Sequence, residues 1–227
     1  GITENFYVQN HLTYWDALLA MNPGLRIDSC ASGGRRNDLE TMRRAVPLTR
    51  SDFEFAYMPN VVDGNQCQTY GASSWLPFQG TGAYIYDPYS FRSFYMASFG
   101  MAGLSPDNTA AQKQAYNECK KLGPAIIHGD YYPLTPYSRS NNVWMAWQFD
   151  RPDLGEGHAQ IFRRTNSPIA TMSFPLQGLK PEKTYEVEDF DKVEKSSFSG
   201  NELMKTGLTV TLPPRGSAIF QYKIIKA

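Results

Sequence analysis

The chain has 227 residues, of which 41% are hydrophobic and 14% aromatic, and 22 lysines and arginines balance 22 aspartates and glutamates. This much apolar material can bury one large core or two modest ones, which excludes intrinsic disorder. The zero net charge argues against a nucleic acid or an anionic membrane surface as a partner, because both attract basic residues. No run approaches the roughly eighteen apolar residues of a membrane-spanning helix.

Cysteines and histidines give no sign of a cross-linked or metal-bound protein. The three cysteines are far apart and form no CxxC pair, and the three histidines show no HxH or HxxxH spacing. Neither a disulfide framework nor a metal site is therefore predicted, and the redox compartment stays open. We expect no metal and no organic cofactor.

The first part of the chain alternates helices with short strands. The predicted elements are a helix with apolar positions Phe6, Leu12, Trp15, Leu18 and Leu19, a strand at 25–28, a helix capped by Asn37 with Leu39, Met42 and Val46 on its inner face, and a strand at 46–50. A repeat of strand, loop and helix about every 15–25 residues is typical of a parallel α/β sheet or barrel.

Residues 53–104 are crowded with Gly, Pro, Asn and aromatic residues. This composition predicts long loops around two short strands, near 82–85 and 94–99. A clear helix follows, with Ser105 as its cap, Pro106 in its first turn and a stop at Gly123-Pro124.

From about residue 134 the helical period gives way to short alternating runs. Strands are predicted at 143–149, 159–162, 169–174, 184–190, 208–212 and 217–225, and the segment 192–199 is predicted to be a polar, exposed turn. Six strands in about ninety residues favour a small antiparallel β-sandwich. We therefore expect two domains, 1–133 and 134–227.

The first candidate site is the run from Asp28 to Asp38, which follows a predicted strand. Its paired glycines, Gly33 and Gly34, would let a ligand approach the backbone amides, and neither GxGxxG nor GxxxxGK[ST] occurs there to suggest a phosphate. The alternative is a tight structural turn in which Cys30 is buried as a small apolar residue.

The second candidate is the run Leu48-Thr49-Arg50-Ser51-Asp52 at the end of the next predicted strand. Asp52 could donate a proton if apolar neighbours raised its pKa, whereas the charge of Arg50 would act in the opposite direction. The alternative is that Ser51-Asp52 caps a turn or a helix.

Taken together, these runs resemble glycoside hydrolase family 36, the α-galactosidases of the melibiase type. The matching motifs are Cys30-Ala31-Ser32-Gly33-Gly34 with Arg36 and Asp38, Arg50-Ser51-Asp52, His128-Gly129-Asp130-Tyr131-Tyr132, Leu176-Gln177-Gly178-Leu179-Lys180-Pro181, and Gly200-Asn201-Glu202-Leu203-Met204. The resemblance covers nearly the whole chain. It implies the C-terminal half of a (β/α)8 TIM barrel, followed by an antiparallel β-sandwich domain, in the C-terminal portion of a larger enzyme.

The resemblance also implies a retaining mechanism with two aspartates, one a nucleophile and the other an acid/base. Asp52 matches the acid/base. Cys30, Ser32, Gly33, Arg36 and Arg50 match positions of the sugar subsite. The implied substrate is a terminal α-galactoside, carried by an oligosaccharide or glycoconjugate.

Some family features are missing or changed. The family's nucleophile lies in a Lys-x-Asp motif, and no such motif occurs in this chain. Asp16 falls inside the first predicted helix, where a solvated aspartate is the simpler interpretation. Phe53-Glu54-Phe55 replaces the polar residues that often follow the acid/base, which leaves the leaving-group preference open. Arg35 replaces a third glycine and adds bulk and charge beside the subsite. A 2-acetamido sugar would need more room near Cys30 and Gly33, so galactose is favoured over N-acetylgalactosamine.

We therefore expect an exo-acting α-galactosidase that needs the upstream half of the same enzyme for its nucleophile, in a homo-oligomer. The alternatives are an α-N-acetylgalactosaminidase, a raffinose-synthase-like galactosyl transferase, and a non-catalytic carbohydrate-binding fragment. An isolated half barrel would expose strand edges and apolar faces, so it should be stable only against its other half or a covering partner.

Overall fold

The computed structural model describes residues 1–30, 32–47, 49–55, 60–76, 78–103 and 106–225. The predictions at Ala31, Leu48 and Ser105 lie outside these residues. The helices are α1 (Ile2–Met21), α2 (Leu39–Met42), α3 (Val61–Ala72), α4 (Pro88–Ser93), α5 (Thr109–His128) and α6 (Gly200–Lys205). The strands are β1 (Ile27–Ser29), β2 (Ala45–Pro47), β3 (Gly80–Ala83), β4 (Ser98–Met101), β5 (Asp130–Pro133), β6 (Trp144–Arg151), β7 (Glu156–Arg163), β8 (Thr171–Phe174), β9 (Thr184–Asp189), β10 (Lys195–Ser199), β11 (Leu208–Thr211) and β12 (Gly216–Ile224). No described helix is both long and apolar enough to cross a membrane.

The α/β region contains two short parallel pairs, β1 with β2 and β3 with β4. The pairs are joined where the backbone N–H of Arg50 donates to the carbonyl of Gly80 at 2.9 Å. The four strands therefore follow one another side by side in chain order. They do not close a barrel within the described residues.

Several predicted details of this region are wrong. Asp38, not Asn37, caps α2, and Leu39 is 74% exposed instead of facing inward. The strand expected at 46–50 ends at Pro47, and the strand expected at 94–99 begins only at Ser98, after α4. Five of the six residues in α4 are buried, so the helix shows no polar face whose period the sequence could reveal.

Two longer helices also depart from expectation. α1 forms as predicted, but of its residues Trp15 alone is buried, and Phe6 is 58% exposed. α5 continues through the predicted stop and ends at His128. Pro124 removes one backbone donor, and the helix nevertheless persists because Leu122 and Ile126, on either side of it, are buried in the core.

The second half is an antiparallel six-stranded sheet in the order β10-β9-β12-β7-β6-β5, with β8 and β11 paired separately. All six predicted strands of this half are present. The segment expected to be a polar turn instead contains β10, whose sequence Lys-Ser-Ser-Phe-Ser lacks apolar alternation because it forms an exposed edge. β5 and α6 were not predicted.

Both faces of the central strands of the six-stranded sheet are buried, and alternate residues of these strands enter different cores. In β6, Met145, Trp147 and Phe149 pack with α4 and α5, whereas Trp144 and Ala146 pack with β8, β11 and α6. This alternation follows from the period of two in a strand. The six-stranded sheet therefore packs against the α/β region on one face and against the β8–β11 pair on the other.

Candidate active site

Asp52 lies directly above the turn that follows β1. It opens a 3-10 turn, Asp52–Phe55, and its side chain is exposed. A Cβ atom added to Gly33 would overlap both the Oδ1 atom and the backbone nitrogen of Asp52. The two candidate runs therefore meet, as expected for residues that follow neighbouring parallel strands.

The turn itself has a backbone that favours glycine. Ser32, Gly33 and Gly34 have φ angles of 50°, 54° and 98°, all in the left-handed half of the map. A Cβ on Gly34 would overlap the carbonyl oxygen of Arg50, which also accepts a hydrogen bond from Nδ2 of Asn37 at 3.2 Å. The turn is thus fixed against the segment that carries Asp52.

The guanidinium of Arg50 lies away from this turn, among side chains of α3 and the loop before β3. It donates to Oγ1 of Thr69 at 2.8 Å, to Oε1 of Gln79 at 3.1 Å, and to both Oδ1 and the carbonyl of Asn65 at 3.1 and 3.0 Å. Burial lowers the pKa of Arg50 to about 10, against the attraction of Glu54. The side chain is 6% exposed, so it holds the strand end in place from behind.

Glu54 is a supporting residue that sequence reasoning missed. Its carboxylate is 2% exposed and accepts hydrogen bonds from Oγ1 of Thr49 at 2.6 Å and from the backbone N–H of Gly82 at 3.1 Å. It therefore links the end of β2 to β3. A charged residue between two phenylalanines gives no sign of burial, and no periodic spacing in this irregular segment could have revealed the contact.

The remaining predicted residues lie around the same turn at different depths. Cys30 is a free, exposed thiol and Ser32 is exposed. Arg36 is half-buried and lies near His11 of α1, where burial lowers the pKa of His11 and the charge of Arg36 lowers it further. The structure brings Gly33 and Asp52 into contact, places Cys30 and Ser32 beside them in the chain, and directs Arg50 elsewhere.

Among the described residues, Asp52 forms no salt bridge and its carboxylate has no cationic partner. Asp16 differs, because Arg44 donates to both of its oxygens at 2.6 and 2.8 Å. These bonds lower the pKa of Asp16 and attach α1 to the end of α2. Within the described ranges, no group of three or more His, Cys, Asp or Glu side chains could hold a metal ion.

Known proteins resemble the chain in sequence over most of its length. A family model described as glycosyl hydrolase family 36 C-terminal domain matches residues 144–221. A probable alpha-galactosidase C of Aspergillus terreus is 28% identical over 222 residues, which cover 91% of this chain and 28% of that protein. The alpha-galactosidase C of Emericella nidulans is 27% identical and covers 92% of this chain and 28% of its own length.

Solved structures show the same fold. The α-galactosidase from Lactobacillus brevis superposes with a TM-score of 0.74 at 20% identity, covering 94% of this chain and 31% of that one. The family 36 α-galactosidase AgaB from Geobacillus stearothermophilus gives a TM-score of 0.72 at 20% identity, covering 93% and 30%.

Residues 144–221, which contain most of the six-stranded sheet, are thus similar to the glycosyl hydrolase family 36 C-terminal domain. The resemblance noted in the sequence is confirmed: the chain corresponds to the C-terminal portion of the family 36 α-galactosidases. It spans 28% of the length of the curated relatives it matches.

Proposed function

We propose that this chain carries the general acid/base and one wall of the galactose subsite of a retaining, exo-acting α-galactosidase. The contact between Asp52 and Gly33 is the observation on which the proposal rests. It puts an exposed carboxyl group, unpaired among the described residues, against a turn with positive φ angles, at the end of two parallel strands. Active sites of (β/α)8 enzymes lie at this end of the strands.

In this mechanism Asp52 works in both steps. It first gives its proton to the glycosidic oxygen as the bond from that oxygen to the anomeric carbon breaks, while a carboxylate of the upstream segment attacks the same carbon. Asp52 then removes a proton from water, which attacks the anomeric carbon and releases the upstream carboxylate. Its carboxyl group should lie about 5–5.5 Å from that nucleophile.

The other residues divide into contact and support. Cys30, Ser32 and Gly33 line the galactose, and Arg36 extends the same edge. Arg50 and Glu54 act from behind by fixing the strand ends, because both side chains are buried in hydrogen bonds to neighbouring elements. We assign Arg50 to this positioning role instead of to direct contact with the sugar.

The same proposal covers the architecture. Residues 1–133 form the C-terminal half of a (β/α)8 barrel and residues 134–227 an antiparallel β-sandwich domain. The upstream half of the enzyme supplies the nucleophile and the missing strands, and the assembled enzyme is a homo-oligomer. β1 and β4 each have one edge that no described strand covers, which is what an interrupted barrel requires.

The test is Asp52→Asn in the longer protein that contains this chain. We expect the kcat/KM for raffinose to fall by about 10²–10⁴, because a sugar leaving group needs the proton. The kcat/KM for an aryl galactoside with an acidic phenol should fall far less. Azide should restore turnover of the aryl galactoside in the variant, because azide attacks the glycosyl-enzyme without a base.

Asp153→Asn is the matched control, since Asp153 is also an exposed aspartate but lies in the turn between β6 and β7. It should leave both substrates unaffected. The chain alone should hydrolyse neither substrate. Equal losses for raffinose and the aryl galactoside in Asp52→Asn, without azide rescue, would remove Asp52 from the acid/base role.

A further inference from the structure

A groove of about 670 Å³ begins one residue after Asp52 and runs between α3 and the loop before β6. Phe53, Asn60 and Gln68 line the α3 side, and Tyr137, Arg139 and Asn141 line the opposite side. The volume is within the ordinary range of small-molecule sites, about 300–1,000 Å³. None of the sequence motifs drew attention to this groove.

The chemistry of the groove suits a sugar. The ring of Tyr137 is 52% exposed and lies against Tyr70, with centroids 5.6 Å apart. Amide side chains of Asn60 and Asn141 are exposed beside it. An aromatic face with amides around it can pack against the C–H face of a sugar ring while hydrogen-bonding its hydroxyl groups.

Gln68 adds an unused acceptor to this surface. Its Oε1 atom is buried and has no hydrogen-bond partner among the described residues. A buried carbonyl oxygen without a donor is unfavourable by roughly 1–3 kcal/mol relative to a satisfied one, so Gln68 gains a partner if its side chain turns toward a hydroxyl group in the groove.

The two walls of the groove are held together from below by Arg164. This fully buried side chain donates to the carbonyls of Ser138 and Ser140 at 2.8 and 2.7 Å, and to Oε1 of Gln66 at 3.0 Å on α3. The loop that carries Tyr137 and Arg139 is therefore fixed relative to α3. A preformed groove of this kind loses little conformational entropy when it binds.

The position of the groove connects it to the reaction. The ring of Phe53 lies so close to α3 that a Cβ on Gly64 would overlap it, and Phe53 follows Asp52 directly. The group that leaves in the proposed reaction departs on the side of the residue that protonates it, which is Asp52. Because Phe53 lines the groove and follows Asp52 in the chain, the groove starts beside the residue on whose side the leaving group departs.

We propose that this groove binds the leaving-group sugars of an α-galactoside, and that the C-terminal β domain thereby selects neutral oligosaccharides over small aryl galactosides. The inference rests on the proposed function for the identity of the galactose side. The wall formed by Tyr137, Arg139 and Asn141 then acts on substrate choice and not on the chemical step.

The kinetic test compares Tyr137→Ala and Asn141→Ala with the unmodified enzyme, in the longer protein that contains this chain. For Tyr137→Ala we expect the kcat/KM for raffinose to fall about 10-fold more than that for an aryl galactoside, mostly through KM, since about one stacking contact is lost. Asn141→Ala removes one hydrogen bond to the sugar and should shift the same ratio in the same direction by about 2- to 10-fold. Tyr116→Ala is the matched control, because Tyr116 is 53% exposed but lies on α5.

Direct binding separates this inference from the proposed function. Saturation-transfer NMR with sucrose, the leaving group of raffinose, should show contact with the unmodified enzyme and with Tyr116→Ala, and none with Tyr137→Ala. Sucrose contact without any galactosidase activity would overturn the proposed function and retain the groove as a sugar site. If the enzyme is an active galactosidase but Tyr137→Ala loses activity equally on both substrates, the groove is not a binding site for the leaving-group sugars. The same conclusion would follow if the active enzyme showed no contact with sucrose.

Discussion

Gly33 is the residue at which the two halves of the candidate site touch. Two separate features require glycine here. Its φ of 54° would strain any residue with a side chain, and an added Cβ atom would overlap Asp52. Gly33→Ala should therefore move Asp52 as well as strain the turn. We expect a loss of about 1–3 kcal/mol in unfolding free energy beyond the strain, measured by urea denaturation.

Gly103→Ala isolates the strain. Gly103 has a similar φ of 65°, and no atom of the described residues outside its chain neighbours lies within 4 Å of the place where its Cβ would stand. Equal destabilisation by the two substitutions would mean that Asp52 does not rest on Gly33, and the geometry of the candidate site would then be different from the one described.

The sequence revealed that Gly33 and Asp52 would lie near each other, because both follow strands of a recognisable α/β repeat. It did not reveal the direction of the side chains between them. Arg50 and Asp52 are two residues apart, yet the guanidinium of Arg50 is buried behind the strand and the side chain of Asp52 is exposed in front of it. The irregular backbone after β2 sets these directions, and no periodic pattern records it.

Among the elements, α3 connects the proposed catalytic residue to the β domain. One face of α3 presents Asn65 and Thr69 to the guanidinium of Arg50, and another presents Asp63 and Gln66 to Arg164 from the end of β7. Arg164→Met should leave several buried acceptors without donors and lower the unfolding free energy by about 3–5 kcal/mol. Urea denaturation followed by tryptophan fluorescence would measure it.

Arg43→Met provides the comparison for that loss. Arg43 pairs with Glu40 one turn away, and both side chains are more than half exposed. Such a pair contributes only about 0.2–0.5 kcal/mol, so this variant should remain close to the unmodified protein. If Arg164→Met were equally mild, the hydrogen bonds of Arg164 would not be what holds α3 to the β domain.

The elements that the sequence predicted correctly are those with a visible period. β6 to β9, β11 and β12 alternate or run apolar between turn signals, and α5 has a clear stripe. The sequence did not predict α4 and β10, for opposite reasons. Nearly every side chain of α4 is buried, whereas almost none of β10 is. A uniform environment leaves no periodic contrast in the sequence.

At the scale of the whole molecule, α1 presents more apolar surface to solvent than any buried role within this chain explains. Ile2, Phe6, Tyr7 and Tyr14 are each more than half exposed, while Trp15 is the one buried residue of the helix. A salt bridge from Arg44 to Asp16 attaches α1 to the end of α2. The exposed side is thus fixed in position, as a surface that the upstream half of the enzyme would cover in the proposed architecture.

Phe6→Glu tests whether that surface is covered. If nothing covers this surface, the substitution replaces one exposed side chain with another and should change the unfolding free energy by less than about 0.5 kcal/mol. In the longer protein it would bury a carboxylate against apolar neighbours, and we expect a loss of several kcal/mol or a failure to assemble, seen by thermal unfolding and size-exclusion chromatography. Ile169→Glu is the control, because Ile169 is 55% exposed on the β domain. If Phe6→Glu and Ile169→Glu behaved alike in the longer protein, the upstream half would have to meet this chain somewhere other than on α1.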